Sequence, residues 1–167
     1  MNFEEHAAKP LLAARGIAIP KGALAKTPDE AAAVAARLGA VVVKAQVPTG
    51  KRGKAGGIKL AATPDEARTH ARAIIGMQIA GHQVEQVLIE EQMPIARELY
   101  AAVLNDPASK GPLVMFSTAG GMDIEEVAAT APDQLRRQLV DIRRGFAHAD
   151  AERVVHGLGL GAAAGKV

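Results

Sequence analysis

The chain has 167 residues, which is close to the size of one domain or of two small lobes. Hydrophobic residues make up 49% of it and aromatic residues only 2%, so Ala, Val, Leu and Ile must pack the core closely. A net charge of +2 excludes a polyanion-coating protein, and the absence of cysteine excludes a disulfide framework. The acidic start excludes an export signal, and the absence of a long apolar run excludes a membrane span. We therefore expect a soluble cytoplasmic protein that binds neither nucleic acid nor membrane.

Helical signals mark the first half of the chain. Apolar spacing predicts an opening helix over residues 2–15, with a kink or late start at Pro10, which has no backbone N–H to donate. Two capping boxes, each reading Thr-Pro-Asp-Glu-Ala, predict further helices that begin at Thr27 and Thr63. Glycines 39 and 81 are placed to end these two helices.

Strand signals alternate with the helices and become more frequent in the second half. Strands are predicted over residues 40–47, 57–61, 84–91, 98–104 and 113–117. The Asn, Pro and Gly residues of 105–112 indicate a hairpin connection, and a helical stretch is expected after Pro132. The fold class is therefore α+β (α/β), and the four glycines of residues 157–167 are typical of a frayed end.

The segment 42–57 is the most distinctive in the sequence. Glycines 50, 53, 56 and 57 alternate with Lys51, Arg52 and Lys54, so the backbone can approach a phosphate that the cations neutralise. A solvated hairpin is the simpler interpretation of such a loop. Lys44 favours the phosphate site, because a lysine inside an apolar strand is half buried and needs a charged partner, which an anionic ligand would supply. Neither a Walker A sequence nor a dinucleotide fingerprint is present.

Acidic residues near the end of the 84–91 strand are candidates for ribose hydroxyls. Glu90, Glu91 and Glu98 could each be an exposed carboxylate instead, and alternation places Glu90 and Glu91 on opposite faces. Residues 117–126 form a second strand-to-Gly-Gly turn, which either starts a helix near a ligand or is an ordinary capped turn. The five histidines show no metal-ligand spacing, so no metal site and no catalytic histidine are expected in this chain.

Three segments together resemble the succinyl-CoA synthetase (ADP-forming) β-subunit family. They are Lys44-Ala45-Gln46-Val47 with Arg52-Gly53-Lys54-Ala55-Gly56-Gly57, then Ile95-Ala96-Arg97-Glu98-Leu99-Tyr100, and the run from Ser117 to Ala128. The resemblance implies an incomplete ATP-grasp fold of two small lobes. Residues 1–20 would form an opening helix packing on the second lobe, residues 21–95 the first lobe with the phosphate loop, and residues 96–167 a partial second lobe cut before the metal-binding segment.

The same resemblance implies a reaction and a set of contacts. The family converts a carboxylate, CoA and ATP into acyl-CoA, ADP and phosphate, together with an α-subunit that binds CoA and carries the phosphohistidine. Lys44 would contact nucleotide phosphate and Lys51, Arg52 and Gly53 would form the phosphate loop, while Glu90 and Met93 would border adenine and Glu98 would hold the ribose.

The resemblance also sets limits. The magnesium ligands of the family would lie beyond this chain, which we expect to be a fragment that is inactive alone, and Lys51 replaces a glycine that is usual in the loop. Succinate is the default acid, with malate and citrate as alternatives. A non-catalytic nucleotide-sensing or protein-docking module is the main rival hypothesis, and polyanion binding through the loop is a third.

Overall fold

The computed structural model describes residues 3–121 and 124–160. Two compact units divide the chain between Pro94 and Ile95. None of the helices within the described ranges combines the length and the apolar character that crossing a bilayer requires.

The first unit contains three helices and six strands. They are α1 Glu5–Ala13, β1 Gly22–Ala25, α2 Pro28–Leu38, β2 Val41–Ala45, β3 Ile58–Ala61, α3 Pro64–Ile74, β4 Gln78–Ile79, β5 His82–Gln83 and β6 Val87–Glu91. Four strands form one sheet in the order β1-β6-β2-β3, and every neighbouring pair in it is antiparallel. The short β4 and β5 form a separate antiparallel pair.

The predicted capping boxes begin α2 and α3. The Thr27 and Thr63 hydroxyls accept hydrogen bonds from the amides of Glu30 and Glu66, each at 3.2 Å. The two glutamates reach back to the amides of Lys26 and Ala62 at 2.7 Å, one residue before each cap. Both helix starts predicted from the sequence are therefore confirmed, with their free N–H groups satisfied by side chains.

The core of the first unit lies between this sheet and helices α2 and α3. Strand β2 alternates strictly, because Val41, Val43 and Ala45 are fully buried while Val42 and Lys44 are only partly buried. The inward residues pack with small residues of the two helices, such as Ala35 and Ala71, as expected of a core that is poor in aromatic residues. The other face of the sheet carries Lys44.

The predicted end of helix α3 at Gly81 is wrong. Gly39 ends α2 with a φ of 83°, as the sequence indicates, but α3 ends at Ile74 and is followed by Gly76 with a φ of 91°. Gly81 lies instead in the turn between β4 and β5, where Ala80 also has a positive φ of 49°. A glycine that permits positive φ serves a tight hairpin as well as a helix end, so the pattern could not distinguish the two.

The second unit is a three-stranded antiparallel sheet with short helices. Its elements are β7 Tyr100–Asp106, β8 Gly111–Ser117, α4 Ile124–Thr130, a 3₁₀ turn Pro132–Gln134, β9 Leu135–Leu139 and α5 His148–Val155. The helical stretch expected after Pro132 does not start directly there, because one 3₁₀ turn forms and β9 then pairs with β8; the next helix is α5. Of the segment predicted to fray, residues 161–167 lie outside the described part.

Helix α1 makes its hydrogen bonds and ion pairs with the first unit. Pro10 lies inside the helix, and the helix starts at Glu5, which is the late start that was one of the two expected outcomes. The packing of residues 1–20 on the second lobe stays a prediction.

Candidate functional site

Lys44 and Glu90 meet on the face of the sheet that is turned away from helices α2 and α3. Strand pairing places Val42 opposite Glu90 and Lys44 opposite Leu88, so Lys44 and Glu90 are diagonal neighbours on one face. The Lys44 ammonium donates to Glu90 Oε2 at 2.6 Å. The Glu90 residue is only 3% exposed, so it needs this partner.

Helix α1 adds an acid and a base to this pair. Lys44 Nζ also donates to Glu5 Oε1 at 2.9 Å, while Lys9 pairs with Glu5 Oε1 at 3.2 Å and donates to Glu90 Oε1. Lys44, Glu90, Lys9 and Glu5 thus form a closed ring of alternating charges. Because each charge in the ring has two opposite neighbours, the half-buried cluster offsets much of its own desolvation cost.

Arg52 joins the ring from the glycine-rich loop. Its guanidinium donates to Glu5 Oε2 at 2.8 Å and to the Ala45 carbonyl at 2.8 Å. We call the five side chains Glu5, Lys9, Lys44, Arg52 and Glu90 the charge cluster. Three cations and two carboxylates leave it with one positive charge in excess, which favours an anionic ligand.

The pKa values within the charge cluster follow from burial and pairing. Burial is the largest single effect on Glu5 and raises the pKa of its carboxyl, but the hydrogen bonds and charges of Lys44 and Arg52 together outweigh it and lower the pKa from 4.5 to about 2. The pKa of Lys9 is lowered, first by burial and then by the charge of Lys44, against the opposing effect of Glu5. Glu5 is thus a carboxylate at any physiological pH.

The loop after β2 folds back on itself in a tight turn. The Gly57 amide donates to the Arg52 carbonyl at 2.9 Å, and the Gly56 amide to the Gly53 carbonyl at 3.0 Å. Gly57 is buried, and a Cβ placed on it would lie 2.7 Å from Ile79 Cδ1 and 3.0 Å from Ala45 Cβ. Only glycine therefore lets the loop return so close to β2.

Lys51, exposed at the start of this turn, has a left-handed backbone. Its φ is 59°, a conformation that glycine adopts without strain and lysine does not. The structure thus gives a physical meaning to the departure noted in the sequence: at this position a glycine would fit the turn better than the lysine present.

A pocket of about 420 Å³ opens beside the charge cluster. It is lined by Phe3, Glu5, Val47, Pro48, Thr49, Gly50 and Arg52. Its volume falls within the range of small-molecule sites. Among the residues that the structure describes, the carboxylates of Glu5 and Glu90 accept from the Lys44 ammonium.

Sequence reasoning missed Glu5, Lys9 and Gln46. Gln46 is 1% exposed, and its side-chain carbonyl accepts from the His6 amide at 3.0 Å, while its amide donates to the carbonyls of Lys44 and Ala45. It therefore ties the first turn of α1 to the end of β2. The spacing of Glu5 and Lys9 by four residues in a predicted helix was the available signal, since such pairs share a helix face.

Two other predicted residues of the first unit are Glu91 and Met93. Glu91 accepts from the Lys21 amide at 2.7 Å and so has different partners from Glu90, as alternation predicts. Met93 is exposed and follows the end of β6. The sequence predicted that an anionic ligand would supply the charged partner of Lys44. In the structure, the carboxylates of Glu5 and Glu90 already pair with its ammonium.

Glu98 belongs to the second unit, where it is exposed and lies against the second glycine pair. The Gly120 amide donates to the Glu98 carbonyl at 3.2 Å, and a Cβ on Gly120 would lie 2.5 Å from the backbone of Glu98 and Leu99. A Cβ on Gly121, whose φ is 72°, would collide with the Glu98 carboxylate. This turn therefore positions Glu98, and residues 122 and 123 of the predicted segment lie outside the described part.

Metal ligands are not grouped in the described ranges 3–121 and 124–160, where no set of three or more His, Asp or Glu side chains could hold an ion. The second unit has a pocket of about 300 Å³ near Asp141, Arg144 and Arg153. Its acids are paired with arginines of the same segment, Asp141 with Arg143 and Asp150 with Arg153.

Comparison with known proteins identifies relatives over nearly the full chain. A family described as ATP-grasp domain matches residues 2–166. The β-subunit of a GDP-forming succinate–CoA ligase from Thermus thermophilus is 47% identical over 96% of this chain and 43% of its own length. That of an ADP-forming succinate–CoA ligase from Gemmatimonas aurantiaca is 48% identical over 92% of this chain and 41% of its own length. The chain thus spans less than half of these curated relatives, and the resemblance seen in the sequence is confirmed.

A solved structure shows the same fold. Acetyl-coenzyme A synthetase 1 from Ca. Korarchaeum cryptofilum, in complex with coenzyme A, Ca-AMPCP and HgCl+, superposes with a TM-score of 0.72. The two chains are 26% identical, and the match covers 92% of this chain and 65% of the other. The predicted α+β fold with partial ATP-grasp lobes is confirmed.

Proposed function

Since the chain belongs to the ATP-grasp domain family, we propose that it is the nucleotide-binding amino-terminal portion of the β-subunit of an acyl-CoA synthetase of the succinate–CoA ligase type. The observation that carries this proposal is the convergence of Lys44 and Arg52 on one carboxylate beside a pocket of about 420 Å³. Two cations that share one anion are arranged to receive the oxygens of a phosphate chain.

Lys44 and Arg52 have separate tasks in binding. Lys44 is a point charge on a rigid strand, so it fixes where one phosphate lies, whereas Arg52 offers a planar fork whose remaining N–H groups suit two oxygens. Gly53 and the glycines around it let the backbone approach the same phosphate. Lys51, which is exposed, adds charge at the edge of the loop.

The base and the ribose would be recognised elsewhere in the chain. Glu90 and Met93 border adenine in this proposal, and the Glu90 carboxylate stays paired with Lys9 and Lys44. Glu98, positioned by the Gly120 turn, holds the ribose. The curated relatives are named as ADP-forming and as GDP-forming enzymes, so ADP and GDP are both candidate ligands.

The complete enzyme would join a carboxylate to CoA with conversion of ATP to ADP and phosphate. Succinate is the proposed acid, and an α-subunit would bind CoA and carry the phosphohistidine. Magnesium, when bound to the nucleotide, offsets the charge of the β- and γ-phosphates. We propose that this chain by itself binds nucleotide weakly and does not turn it over, since it spans less than half the length of its curated relatives.

Calorimetric titration with ADP, GDP and AMP tests the proposal. The wild type should give one saturable site for the diphosphates and bind AMP more weakly. Lys44→Ala and Arg52→Ala should each weaken ADP binding by about tenfold or more, which corresponds to one charge-assisted contact of about 1.5 kcal/mol. Lys26→Ala is the matched control, because it removes the same charge at an exposed position outside the charge cluster.

Three outcomes would contradict the proposal. They are no saturable ADP site, equal affinity in Lys26→Ala and Lys44→Ala, and equally steep salt dependence for every polyanion, which would indicate non-specific binding instead. Nucleotide binding that persists without any acyl-CoA formation in the complete enzyme with its α-subunit would favour the sensing module. Thermal unfolding of each variant shows whether it is folded during the titration.

A further inference from the structure

Glu5 occupies the position in the charge cluster that a phosphate would need. One carboxylate oxygen, Oε1, accepts from Lys44 at 2.9 Å, and the other, Oε2, accepts from Arg52 at 2.8 Å. A phosphate group binds two cations in the same way, with one oxygen on each. The same two donors that the proposed function assigns to the nucleotide are thus already used by an internal carboxylate.

The helix that carries Glu5 is attached through polar groups. None of the residues of α1 is buried, and Leu11 and Leu12 are 55% and 45% exposed. Its polar contacts with the rest of the first unit include the ion pairs of Glu5 with Lys44 and Arg52, the pair of Lys9 with Glu90, and the hydrogen bond from the His6 amide to Gln46. Elements with few buried apolar contacts rearrange at low free-energy cost, so the first turn of α1 can yield to a competing ligand.

We infer that Glu5 is a displaceable internal anion, which occupies the phosphate site in the empty protein and leaves Lys44 and Arg52 when a nucleotide phosphate binds. This inference rests on the proposed function and adds a competition to it. The competing ligand is the phosphate chain of a nucleoside diphosphate or triphosphate.

Charge repulsion explains why Glu5 and the phosphate exclude each other. Two like charges about 4 Å apart repel each other strongly at a partly buried site, so a phosphate oxygen on Lys44 or Arg52 disfavours a carboxylate on the same donors. The Lys9–Glu90 pair does not involve Glu5 and can persist. The Glu5 carboxylate can therefore leave without stranding the buried Glu90 carboxylate, which keeps Lys9 and Lys44 as partners.

The experiment compares Glu5→Gln with Glu4→Gln in ADP titrations. Both changes remove one negative charge from the start of the same helix, but Glu4 contacts His6 and Gln86, while Glu5 contacts Lys44 and Arg52. If Glu5 competes with phosphate, Glu5→Gln should bind ADP about tenfold more tightly than the wild type. Glu4→Gln should change the affinity by less than about threefold, since its charge lies outside the charge cluster.

A wild-type measurement keeps the inference testable if Glu5→Gln does not fold. The side-chain carboxyl ¹³C resonance of Glu5 should shift when ADP saturates the protein at neutral pH, and that of Glu4 should not. Weaker or unchanged ADP binding by folded Glu5→Gln, or an unmoved Glu5 resonance, would overturn the inference. Failure of the wild type to bind ADP at all would instead overturn the proposed function, so the two failures are distinguishable.

Discussion

The Lys44 ammonium lies 2.6 Å from Glu90 Oε2, although the two residues are 46 positions apart in the chain. The antiparallel pairing of β2 with β6 creates this contact, because it places Lys44 and Glu90 diagonally on the same face of the sheet. Glu90 is the most buried acid of the charge cluster, and both of its oxygens accept from lysines. The stability of the first unit should therefore depend more on Glu90 than on Glu91, the next residue in the chain.

Replacing Glu90 by Gln tests this dependence. The change leaves Lys9, Lys44 and Arg52 with Glu5 alone as a counter-charge, so the free energy of unfolding should fall by about 3 kcal/mol or more. Glu91→Gln should cost less than about 1 kcal/mol, because Glu91 is partly exposed and accepts only from the Lys21 amide among its described contacts. Urea unfolding of the two variants gives the comparison, and equal losses would contradict the account.

The buried glycine at the end of the loop gives a second prediction. Gly57→Ala should destabilise the first unit by about 1–3 kcal/mol, because the new methyl group would lie 2.7 Å from Ile79 Cδ1 and 3.2 Å from the Arg52 carbonyl. Gly53→Ala is the matched control in the same loop, since the nearest atom to its new methyl group is Ile58 Cδ1 at 3.8 Å. Urea unfolding should show a clear loss for Gly57→Ala only.

At position 51, a glycine variant should be more stable than an alanine variant, which reverses the usual order. At most positions glycine is less favourable than alanine, but the φ of 59° at Lys51 penalises any side chain with a Cβ. We expect Lys51→Gly to be more stable than Lys51→Ala by about 1 kcal/mol. Lys59, in strand β3, should show the opposite order, and thermal unfolding of these four variants measures both differences.

The pairing of Glu5 predicts a dependence of stability on pH. Its pKa is about 2 in the folded protein and has a usual value of 4.5, so the folded state favours the charged form. The resulting stabilisation is fully present above about pH 4.5 and is lost as the pH falls toward about 2. Its upper limit is about 3 kcal/mol, from the difference between the two pKa values.

The comparison of the wild type with Glu5→Gln isolates this effect. The wild type should be more stable near pH 6, and its advantage should shrink as urea unfolding is repeated down to about pH 3. Subtracting Glu5→Gln removes the contributions of other acids whose pKa values are lowered, such as Asp106 and Asp150. An advantage that stays constant over this range would show that Glu5 is not held as a carboxylate by Lys44 and Arg52.

The sequence predicted those helices and strands whose ends depend on residues close together in the chain. The two Thr-Pro-Asp-Glu boxes set the starts of α2 and α3, because the cap and its glutamate are close in sequence. The hairpin of β7 and β8 was predicted from its turn residues in the same way. Strand β9, Leu135–Leu139, was not predicted, because it forms by pairing with β8, which is a contact distant in sequence.

The candidate site was predicted in part for the same reason. Lys44 stood out as a lysine in an apolar strand, and Arg52 as a cation among glycines. Glu5 did not stand out, because an acid at the start of a helix is ordinary and its contact with Lys44 spans 39 positions. The need of Lys44 for a partner was inferred correctly, but nothing in the sequence showed that an internal carboxylate meets it.

The most direct test of the central claim locates the nucleotide on the protein. Amide resonances of ¹⁵N-labelled protein should be followed while ADP is added to saturation. The account predicts that the largest shifts occur at Lys44 and within residues 50–57, with smaller ones in the first turn of α1. Shifts concentrated near the pocket at Asp141 and Arg144, or no saturable shift at all, would contradict the claim that the charge cluster and its loop bind the phosphate chain.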